Sequence, residues 1–302
     1  RPIAAATKKL EGQEITEIGL LKAAGAVAFT DGRKAVANAG VMAKLLKYAR
    51  MFDALIVEHA EDPTLSTGVM NAGELATRLG LPASGIWGEV IMVERDIRLV
   101  EATGARLHFG QISCAAALDV IRRMHGRGMP VSCAVTPPHF MLNELAVGDY
   151  RTFAKLSPPL RSEEDRQSVI EALKDGTISV IASGHDPQDP ESKRLPFAEA
   201  AFGAVGLETL LPLSLSLHHN GHMPLLDVID KLTRRPADIY GLEGGRLAPG
   251  KPADLVVFDP DAAIRIDAST FHSKSKNTPF DEYPSQGRVM RTVVGGRTVF
   301  EA

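Results

Sequence analysis

Residues 106–136, RLHFGQISCAAALDVIRRMHGRGMPVSCAVT, decide the fold class of this chain. The run at 106–112 predicts a β-strand, the amphipathic stretch at 115–127 predicts a helix, and the β-branched run at 131–136 predicts another strand. A strand, a helix and a second strand in this order form a βαβ unit, whose two strands run parallel. The segment therefore favours an α/β protein built on a parallel sheet.

The same alternation extends along most of the chain. Further strands are predicted at 26–30 (AVAFT), 55–59 (LIVEH) and 179–183 (SVIAS), and amphipathic helices at 41–52 and 163–174. Repeated strand–helix units of this kind indicate a barrel or an open doubly wound sheet.

Polar side chains stand where the predicted strands end. They are Asp31, His59, Gln111, His139 and His185. In a (β/α)8 barrel the chemistry lies at the C-terminal ends of the strands. A dinucleotide-binding sheet would place residues similarly, but no Gly-rich phosphate loop opens a helix in this sequence. We therefore predict a (β/α)8 TIM barrel.

The two ends of the chain depart from this alternation. The opening RPIAAAT (1–7) is typical of the exit of a strand and lacks an initiator Met, so we expect the sequence to be a fragment. After about Gly241, short strands with Gly and Pro turns are predicted at 245–259 and 288–300. The expected domains are a barrel at 1–240, incomplete at its N-terminus, and the C-terminal part of a β-sandwich at 241–302.

The composition narrows the classes of partner and compartment. The 302 residues are 44% hydrophobic, with 34 basic against 37 acidic residues and a formal net charge of −3. This balance favours neither nucleic acid nor an anionic membrane surface, and no run of about 18 apolar residues predicts a membrane span. Cys114 and Cys133 give no disulfide framework, so we expect both to pack in a core and the protein to be cytoplasmic.

Histidines at strand ends are the first candidates for chemistry. His59 in IVEHAEDP could present its imidazole to a metal at a barrel mouth, or be a hydrogen-bonded strand-end residue. His139 in VTPPHF could touch a ligand or close the barrel mouth. His185 in IASGHDP has Asp186 beside it, and this carboxylate could serve acid–base chemistry or start an ordinary turn.

Two other groups have both a functional and a structural interpretation. Arg161 in SPPLRS could bind a substrate carboxylate in bidentate fashion, or tie its loop to the acidic helix start that follows. His218, His219 and His222 in LSLHHNGHMP look like a metal-binding tract, but their polar surroundings favour solvent-exposed loop residues.

Taken in order, eight segments resemble the sequence blocks of class I dihydroorotases, over essentially the whole chain. The segments are AGAVAFTDG, IVEHAED, HFGQIS, VTPPHFMLNE, LSPPLRSEEDR, LKDGTISVIASGHDPQ, PFAEAAFGAVGLETLLPL and GRLAPGKPADLVVFD. The order and spacing of eight blocks are more specific than any one motif. The resemblance implies a (β/α)8 barrel with a β-sandwich built from both termini, and it is this resemblance that makes 1–240 a barrel incomplete at its N-terminus and 241–302 the C-terminal part of the sandwich. It also implies hydrolysis of the cyclic amide of dihydroorotate, or its closure from carbamoyl aspartate, in pyrimidine biosynthesis.

The resemblance also implies a zinc site, and here the chain departs from the family. The family's His-x-His pair and its substrate-binding Arg belong to the first barrel strand, which we expect to be absent. Of two consecutive Asp residues in the family, Asp31 matches the first, and Gly32 falls at the second, a metal ligand. Gln111 stands where a His ligand is usual. Gly184 replaces an Asp that is both ligand and general base, with His185 and Asp186 following it.

Only one of the four visible metal or base positions is therefore kept, and it is His59. Asp31 or Asp186 could substitute as a ligand if the backbone shifts, but each is one or two residues out of register, and a one-residue offset on a strand points a side chain to the opposite face. The metal ligands that we expect are His59 and, under that condition, Asp31.

The substrate positions implied by the resemblance are altered as well. The family's Asn before Pro-Pro is Ser157, and its downstream His is Gln188. The Phe-Gly pair that contacts substrate through its backbone is kept as Phe202 and Gly203. With Arg161, these are the substrate-binding residues that we expect.

Three functions remain open from the sequence. A metal supplies both the activated water and the polarised carbonyl in this family, so a depleted site favours a weakly active or inactive homologue. Such a protein would resemble the inactive subunits that assemble with aspartate transcarbamoylase. The second function is an active amidohydrolase with an unusual ligand set, acting on dihydroorotate, a hydantoin or another imide. The third is a ligand-sensing module without catalysis. A homo-oligomer is expected in each case.

Overall fold

The computed structural model describes residues 1–302. The elements in chain order are β1 (Ile3–Ala5), α1 (Ile18–Ala23), β2 (Ala28–Thr30), α2 (Ala39–Arg50), β3 (Leu55–Glu58), β4 (Met70–Asn71), α3 (Glu74–Leu79), β5 (Ala83–Ser84), α4 (Trp87–Thr103), β6 (Arg106–Phe109), α5 (Ala115–His125), β7 (Val131–Val135), α6 (Pro137–Met141), α7 (Glu163–Asp175), β8 (Val180–Ile181), α8 (Pro190–Arg194), α9 (Leu210–His219), α10 (Leu225–Leu232), α11 (Arg234–Tyr240), β9 (Leu255–Arg265), β10 (Pro284–Val294) and β11 (Arg297–Glu301). Four short 3₁₀ helices lie at Lys8–Leu10, Glu144–Val147, Thr152–Ala154 and Ala268–Thr270.

Six strands form one parallel sheet in the order β1-β2-β3-β6-β7-β8. A row of apolar residues crosses it in register, because Phe29 pairs with Ile56, Ile56 with Leu107, and Leu107 with Val131. Successive strands are joined by helical segments, which is the arrangement of a (β/α) barrel. The prediction of an α/β barrel fold is therefore confirmed. The strands are shorter than predicted, and the strand expected at 106–112 ends at Phe109.

Local sequence explains where the helices begin. The side chain of Asn38 accepts hydrogen bonds from the backbone N–H groups of Gly40 and Val41 at the start of α2. Ser162 accepts one from Asp165 N at the start of α7, whose first turn is acidic. Both caps satisfy backbone donors that have no partner inside the helix, and acidic residues there suit the positive end of the helix dipole.

The main core lies between the sheet and the helices packed on it. Phe29, Ile56 and Leu107 are fully buried there against α2 side chains such as Leu45 and Leu46. Removing a side chain of this size from water contributes about 1.5–3 kcal/mol each. Cys114 and Cys133 are also buried and unpaired, so the prediction of core packing for both is confirmed.

The C-terminal part contains a three-stranded antiparallel sheet in the order β11-β10-β9. It packs on α9 through β10, where Gly287 approaches Leu215 so closely that a Cβ would overlap its side chain. The strand predicted at 245–259 begins only at Leu255, and the preceding residues form a Gly- and Pro-rich loop. The division into a barrel at 1–240 and a sandwich part at 241–302 stays a prediction.

The histidine tract differs from the sequence prediction. His218 and His219 belong to the last turn of α9 and not to a loop. Each is half-buried and bonds a backbone carbonyl: His218 Nδ1 lies 3.3 Å from Met223 O, and His219 Nε2 lies 3.0 Å from Pro260 O. Packing at the end of α9 therefore partly buries the two histidine side chains, which the polar sequence around them had predicted to be exposed to solvent. No helix combines the length and the apolar composition that crossing a bilayer requires.

A pair of buried carboxyl groups lies between the sheet and the helices. Glu58 of β3 accepts a hydrogen bond from Val36 N at 2.8 Å. Asp96 of α4 is fully buried, and its Oδ1 accepts from Nε and Nη2 of Arg95 at 2.8 and 2.6 Å, while its Oδ2 has no partner. Burial raises the pKa of Asp96 to about 6. Burial, with the nearby Asp96 charge, also raises the pKa of Glu58.

We predict that Asp96→Asn flattens the pH dependence of stability. Because the folded pKa of Asp96 is raised to about 6 from an ordinary value of 3.8, the folded protein keeps a proton that the unfolded chain has lost. The free energy of unfolding should therefore fall as pH rises from about 4 to about 6, by on the order of 1–3 kcal/mol, and stay lower above that. Urea unfolding at a series of pH values measures this. The control is Asp119→Asn on the exposed face of α5, which should retain the decline, and an unchanged profile in Asp96→Asn would contradict the prediction.

Candidate functional site

A cavity of about 310 Å³ lies at the C-terminal ends of the parallel strands. Its polar side chains come from the segments that follow β2, β3, β6, β7 and β8, and include Arg33, His59, Gln111, Thr136, His139, Ser157, His185 and Asp186. A neighbouring cavity of about 550 Å³ shares Arg33, His59 and Ser157 with it. The structure thus brings together most of the polar strand-end residues predicted from the sequence.

His59 is held by two neighbours in this cavity. Its Nε2 lies 3.0 Å from Glu61 Oε2 and 3.0 Å from Ser157 Oγ, and Ser157 donates a hydrogen bond of 2.6 Å to the same carboxylate oxygen. Although burial raises the pKa of Glu61, hydrogen bonds from His59 and Ser157 and the His59 charge lower it overall. An ionised Glu61 requires Nε2 to carry a proton, and the other ring nitrogen, Nδ1, makes no hydrogen bond.

A chain of hydrogen bonds crosses the cavity floor. Gln111 Nε2 donates to Thr136 Oγ1 at 3.3 Å, and the Thr136 hydroxyl lies 2.8 Å from His139 Nδ1. His139 Nε2 donates to the Pro158 carbonyl at 3.0 Å, which fixes the neutral tautomer with Nδ1 as acceptor. Burial lowers the pKa of His139 to about 4, so the ring carries no charge at neutral pH. This arrangement supports the structural interpretation of His139.

Gly184 stands at a position that has no room for a side chain. Its φ is +58°, in the left-handed region that favours glycine, and a Cβ there would lie 2.7 Å from Thr136 Cγ2 and 3.1 Å from Thr136 Cβ. Gln111 Nε2 is the next nearest atom, at 3.4 Å. A carboxylate at this position would therefore require Thr136 to move.

Asp186 forms an ion pair at the rim of the cavity. Its Oδ2 lies 2.9 Å from Arg33 Nη1, and its Oδ1 accepts from Gln188 Nε2 at 2.9 Å. Gly203 makes room for this carboxylate, because a Cβ at that glycine would overlap it. The neighbouring Phe202 carbonyl accepts from Arg33 Nη1 at 3.2 Å. His185 does not join the pair, and its Nδ1 accepts instead from Gly206 N at 3.2 Å.

Asp31 and Arg161 lie outside the cavity. The Asp31 carboxylate is buried against Thr7, accepting from Thr7 N at 2.8 Å and from the Thr7 hydroxyl. Arg161 is buried too: its Nε donates to Ser113 Oγ at 2.9 Å, and its Nη2 lies 3.6 Å from Glu89 Oε2. Arg161 thus ties its loop to α4, and not to the acidic start of α7. These contacts favour a structural role for both residues.

A family model describes nearly all of this chain. The model of the amidohydrolase family matches residues 1–299. The chain belongs to the amidohydrolase family.

Relatives within the family are dihydroorotases. The chain is 48% identical over 299 residues to the dihydroorotase of Anaplasma phagocytophilum, covering 98% of the chain and 67% of that protein. It is 44% identical over 301 residues to that of Desulforapulum autotrophicum, covering 99% of the chain and 70% of that protein. The chain thus spans about two thirds of the length of these relatives and is a dihydroorotase-family sequence, as the motif blocks predicted.

Solved structures agree with the amidohydrolase fold. The L-hydantoinase of Arthrobacter aurescens superposes with a TM-score of 0.83 at 26% identity, covering 94% of this chain and 67% of that one. The D-hydantoinase of a Thermus species superposes with a TM-score of 0.82 at 24% identity, covering 99% and 68%. The second similarity concerns the fold alone.

The residues of this amidohydrolase chain do not by themselves make the zinc site that is general in the family. A catalytic zinc needs about three protein ligands. His59 Nδ1 is available, but the Asp31 carboxylate is bound to Thr7, Gln111 is bound to Thr136, and Gly32 and Gly184 have no side chain. No group of three His, Cys, Asp or Glu side chains anywhere in the chain is placed to hold a metal ion. The predicted ligand pair of His59 and Asp31 is not brought together.

Three residues of the site were missed by the sequence reasoning. Arg33, Glu61 and Thr136 each contact a residue that was singled out, namely Asp186, His59 and Gln111. Two of them had a usable signal, because Arg33 follows the FTDG block by one residue and Glu61 lies two residues after His59. Thr136 ends a predicted strand, where its hydroxyl could have been expected to face the cavity.

We predict that Gly184→Ala destabilises the protein more than Gly80→Ala. Gly80 has a similar φ of +65° but nothing within 4 Å of its Cβ position, so it isolates the backbone effect, of about 1–2 kcal/mol. At Gly184 the overlap with Thr136 should add about 1–3 kcal/mol. Urea unfolding measures both variants. Adding Thr136→Ser, which removes the overlapping methyl group, should recover part of the loss, and equal costs for the two alanine variants would contradict the prediction.

Proposed function

We propose that the chain is a dihydroorotase-family protein of pyrimidine biosynthesis that binds ligands of the dihydroorotate class but hydrolyses them weakly or not at all. The observation that carries this proposal is Gly184, at the position where the family has its general base. Glycine offers no proton acceptor, and Thr136 fills the space that a side chain would need. General-base catalysis contributes about 10²–10⁴ to a rate, so its loss alone lowers turnover greatly.

The rest of the cavity supports binding without hydrolysis. Ser157 and Gly203 line the cavity, and Gln188 and Phe202 border it through contacts with Asp186 and Arg33. We therefore keep Ser157, Gln188, Phe202 and Gly203 as proposed substrate-binding residues and leave out Arg161, which is buried elsewhere. Carbamoyl aspartate and dihydroorotate both carry carboxylates, and the polar groups at the rim of the cavity can bind a carboxylate.

We predict turnover at least about 100-fold below that of the Anaplasma phagocytophilum dihydroorotase, in hydrolysis of dihydroorotate and in cyclisation of carbamoyl aspartate with added zinc. The relative, purified in parallel, is the positive control. Elemental analysis should find less than one zinc per chain, and Gly184→Asp should not restore activity, because Thr136 obstructs the new side chain. One zinc ion per chain, together with turnover rates like those of the relative, would contradict the proposal.

The second candidate function is that of an active amidohydrolase with a different substrate. His59 supports it, because its Nε2 is held by Glu61 while Nδ1 is free, which is the way a carboxylate orients a metal-ligating histidine. The 26% identity to an L-hydantoinase supports a hydantoin or another imide as substrate. The assay above therefore includes hydantoin, and its turnover at an enzymatic rate would favour this function.

We propose further that the protein acts in the cytoplasm as a structural partner of aspartate transcarbamoylase, and that it forms homo-oligomers. What supports a scaffold role is a contrast within the chain. The apolar core is complete around residues such as Phe29 and Leu107, whereas the ligand positions Gly32, Gln111 and Gly184 are substituted. A protein that only assembles with a partner needs its folded core but not its catalytic residues, and this chain has that combination.

We predict that the protein co-elutes with aspartate transcarbamoylase from the same organism in size-exclusion chromatography with light scattering. The mass should correspond to a fixed ratio of the two chains, and the transcarbamoylase alone should show a smaller mass. Gly184→Ala together with Thr136→Ser serves as the matched variant, because it alters the cavity and leaves the outer surface unchanged. Separate elution of the two proteins at micromolar concentration would contradict the partnership.

A further inference from the structure

Arg33 occupies the junction between the two cavities. It lines both the 310 Å³ cavity and the 550 Å³ cavity, and its side chain is 51% exposed. It follows Gly32, whose φ of +72° turns the chain after β2. The turn carries the next side chain across the strand ends toward the segment after β8, where it meets Asp186 and Phe202.

Only one of the three nitrogens of the Arg33 guanidinium contacts the protein. Both of its contacts, to Asp186 Oδ2 and to the Phe202 carbonyl, are made by Nη1. Nε and Nη2 have no partner in the structure. These two nitrogens form one side of the planar guanidinium, with parallel N–H groups spaced to receive the two oxygens of a carboxylate.

The surroundings of Arg33 are the positions at which the sequence predicted substrate contacts. Phe202 bonds it directly, Gly203 leaves the space that Asp186 needs to reach it, and Gln188 holds the other oxygen of Asp186. Four residues from the segment after β8 therefore converge on a single cation from the segment after β2. Arg33 thus brings two unused donors to a half-exposed position that lines both cavities.

We propose that Arg33 recognises the carboxylate of the ligand, and that Asp186 is an internal carboxylate that competes for the same guanidinium. The proposal rests on the proposed function, since it specifies how a dihydroorotate-class ligand is bound. The ligand carboxylate pairs with Nε and Nη2, and its ring extends into the cavity toward His59 and Gln111. Because Asp186 already neutralises part of the Arg33 charge, the affinity for an added anion is held down.

The test compares two ligands that differ only in the carboxylate. Isothermal titration calorimetry with L-dihydroorotate and with dihydrouracil, which has the same ring and no carboxylate, gives the contribution of that group. We expect the wild-type protein to prefer dihydroorotate. Arg33→Gln should weaken dihydroorotate binding about tenfold and leave dihydrouracil binding unchanged, because one charge-assisted hydrogen-bonded pair is lost. Asp186→Asn should strengthen dihydroorotate binding several-fold, because the competing charge is removed.

Controls separate a local effect from a general one. Arg98→Gln, on the exposed side of α4 and outside both cavities, removes the same charge and should leave both affinities unchanged. Melting temperatures establish that each variant is folded. If Arg33→Gln keeps the full preference for dihydroorotate, the role of Arg33 is refuted while binding by the protein stands. If neither the wild-type protein nor Asp186→Asn binds dihydroorotate, the proposed function fails together with this inference.

Discussion

The in-register pairing of the parallel strands is the constraint on which the rest of this molecule depends. Phe29, Ile56, Leu107 and Val131 form one row across four strands, and all four side chains are buried. Because the strands are parallel, their C-terminal ends all lie at the same edge of the sheet. Arg33, His59, Gln111, Thr136 and Asp186 therefore meet at one edge, although more than 150 residues separate the first from the last. Slipping one strand by one residue would turn its cavity side chain toward the helices.

Within that edge, Thr136 has the greatest influence on what the cavity can do. Its hydroxyl accepts from Gln111 and donates to His139, and its methyl group occupies the space beside Gly184. One side chain thus bonds a neutral histidine, orients the Gln111 amide at the cavity floor, and obstructs a carboxylate at position 184. The polar atoms of the floor are satisfied by one another, which is how buried polar groups avoid a large desolvation cost.

The sequence was sufficient for the fold and for the location of the site, because both follow from local patterns. Strand–helix alternation predicted the barrel, and strand ends predicted most of the cavity residues. The direction of individual side chains was not available from those patterns. Asp31 turns to Thr7 and Arg161 to Ser113 and Glu89, since these partners come from loops and helices distant in sequence. The steric role of Thr136 beside Gly184 depends on a separation that only the folded backbone sets. For the same reason the histidines at the end of α9 were misassigned to a loop.

The hydrogen-bond chain from Gln111 to the Pro158 carbonyl limits which substitutions the cavity floor can accept. Every donor in it points the same way, so each member is suited only to the neighbours it has now. Replacing Thr136 by a residue without a hydroxyl would leave Gln111 and His139 without their partners, at a cost of about 1–3 kcal/mol for each buried polar group, whereas Thr136→Ser would keep both hydrogen bonds. A side chain at position 184 would therefore cost stability unless Thr136 changed with it. The floor of the cavity therefore responds as one unit, because a change at Thr136 alters the surroundings of Gln111, His139 and Gly184 together.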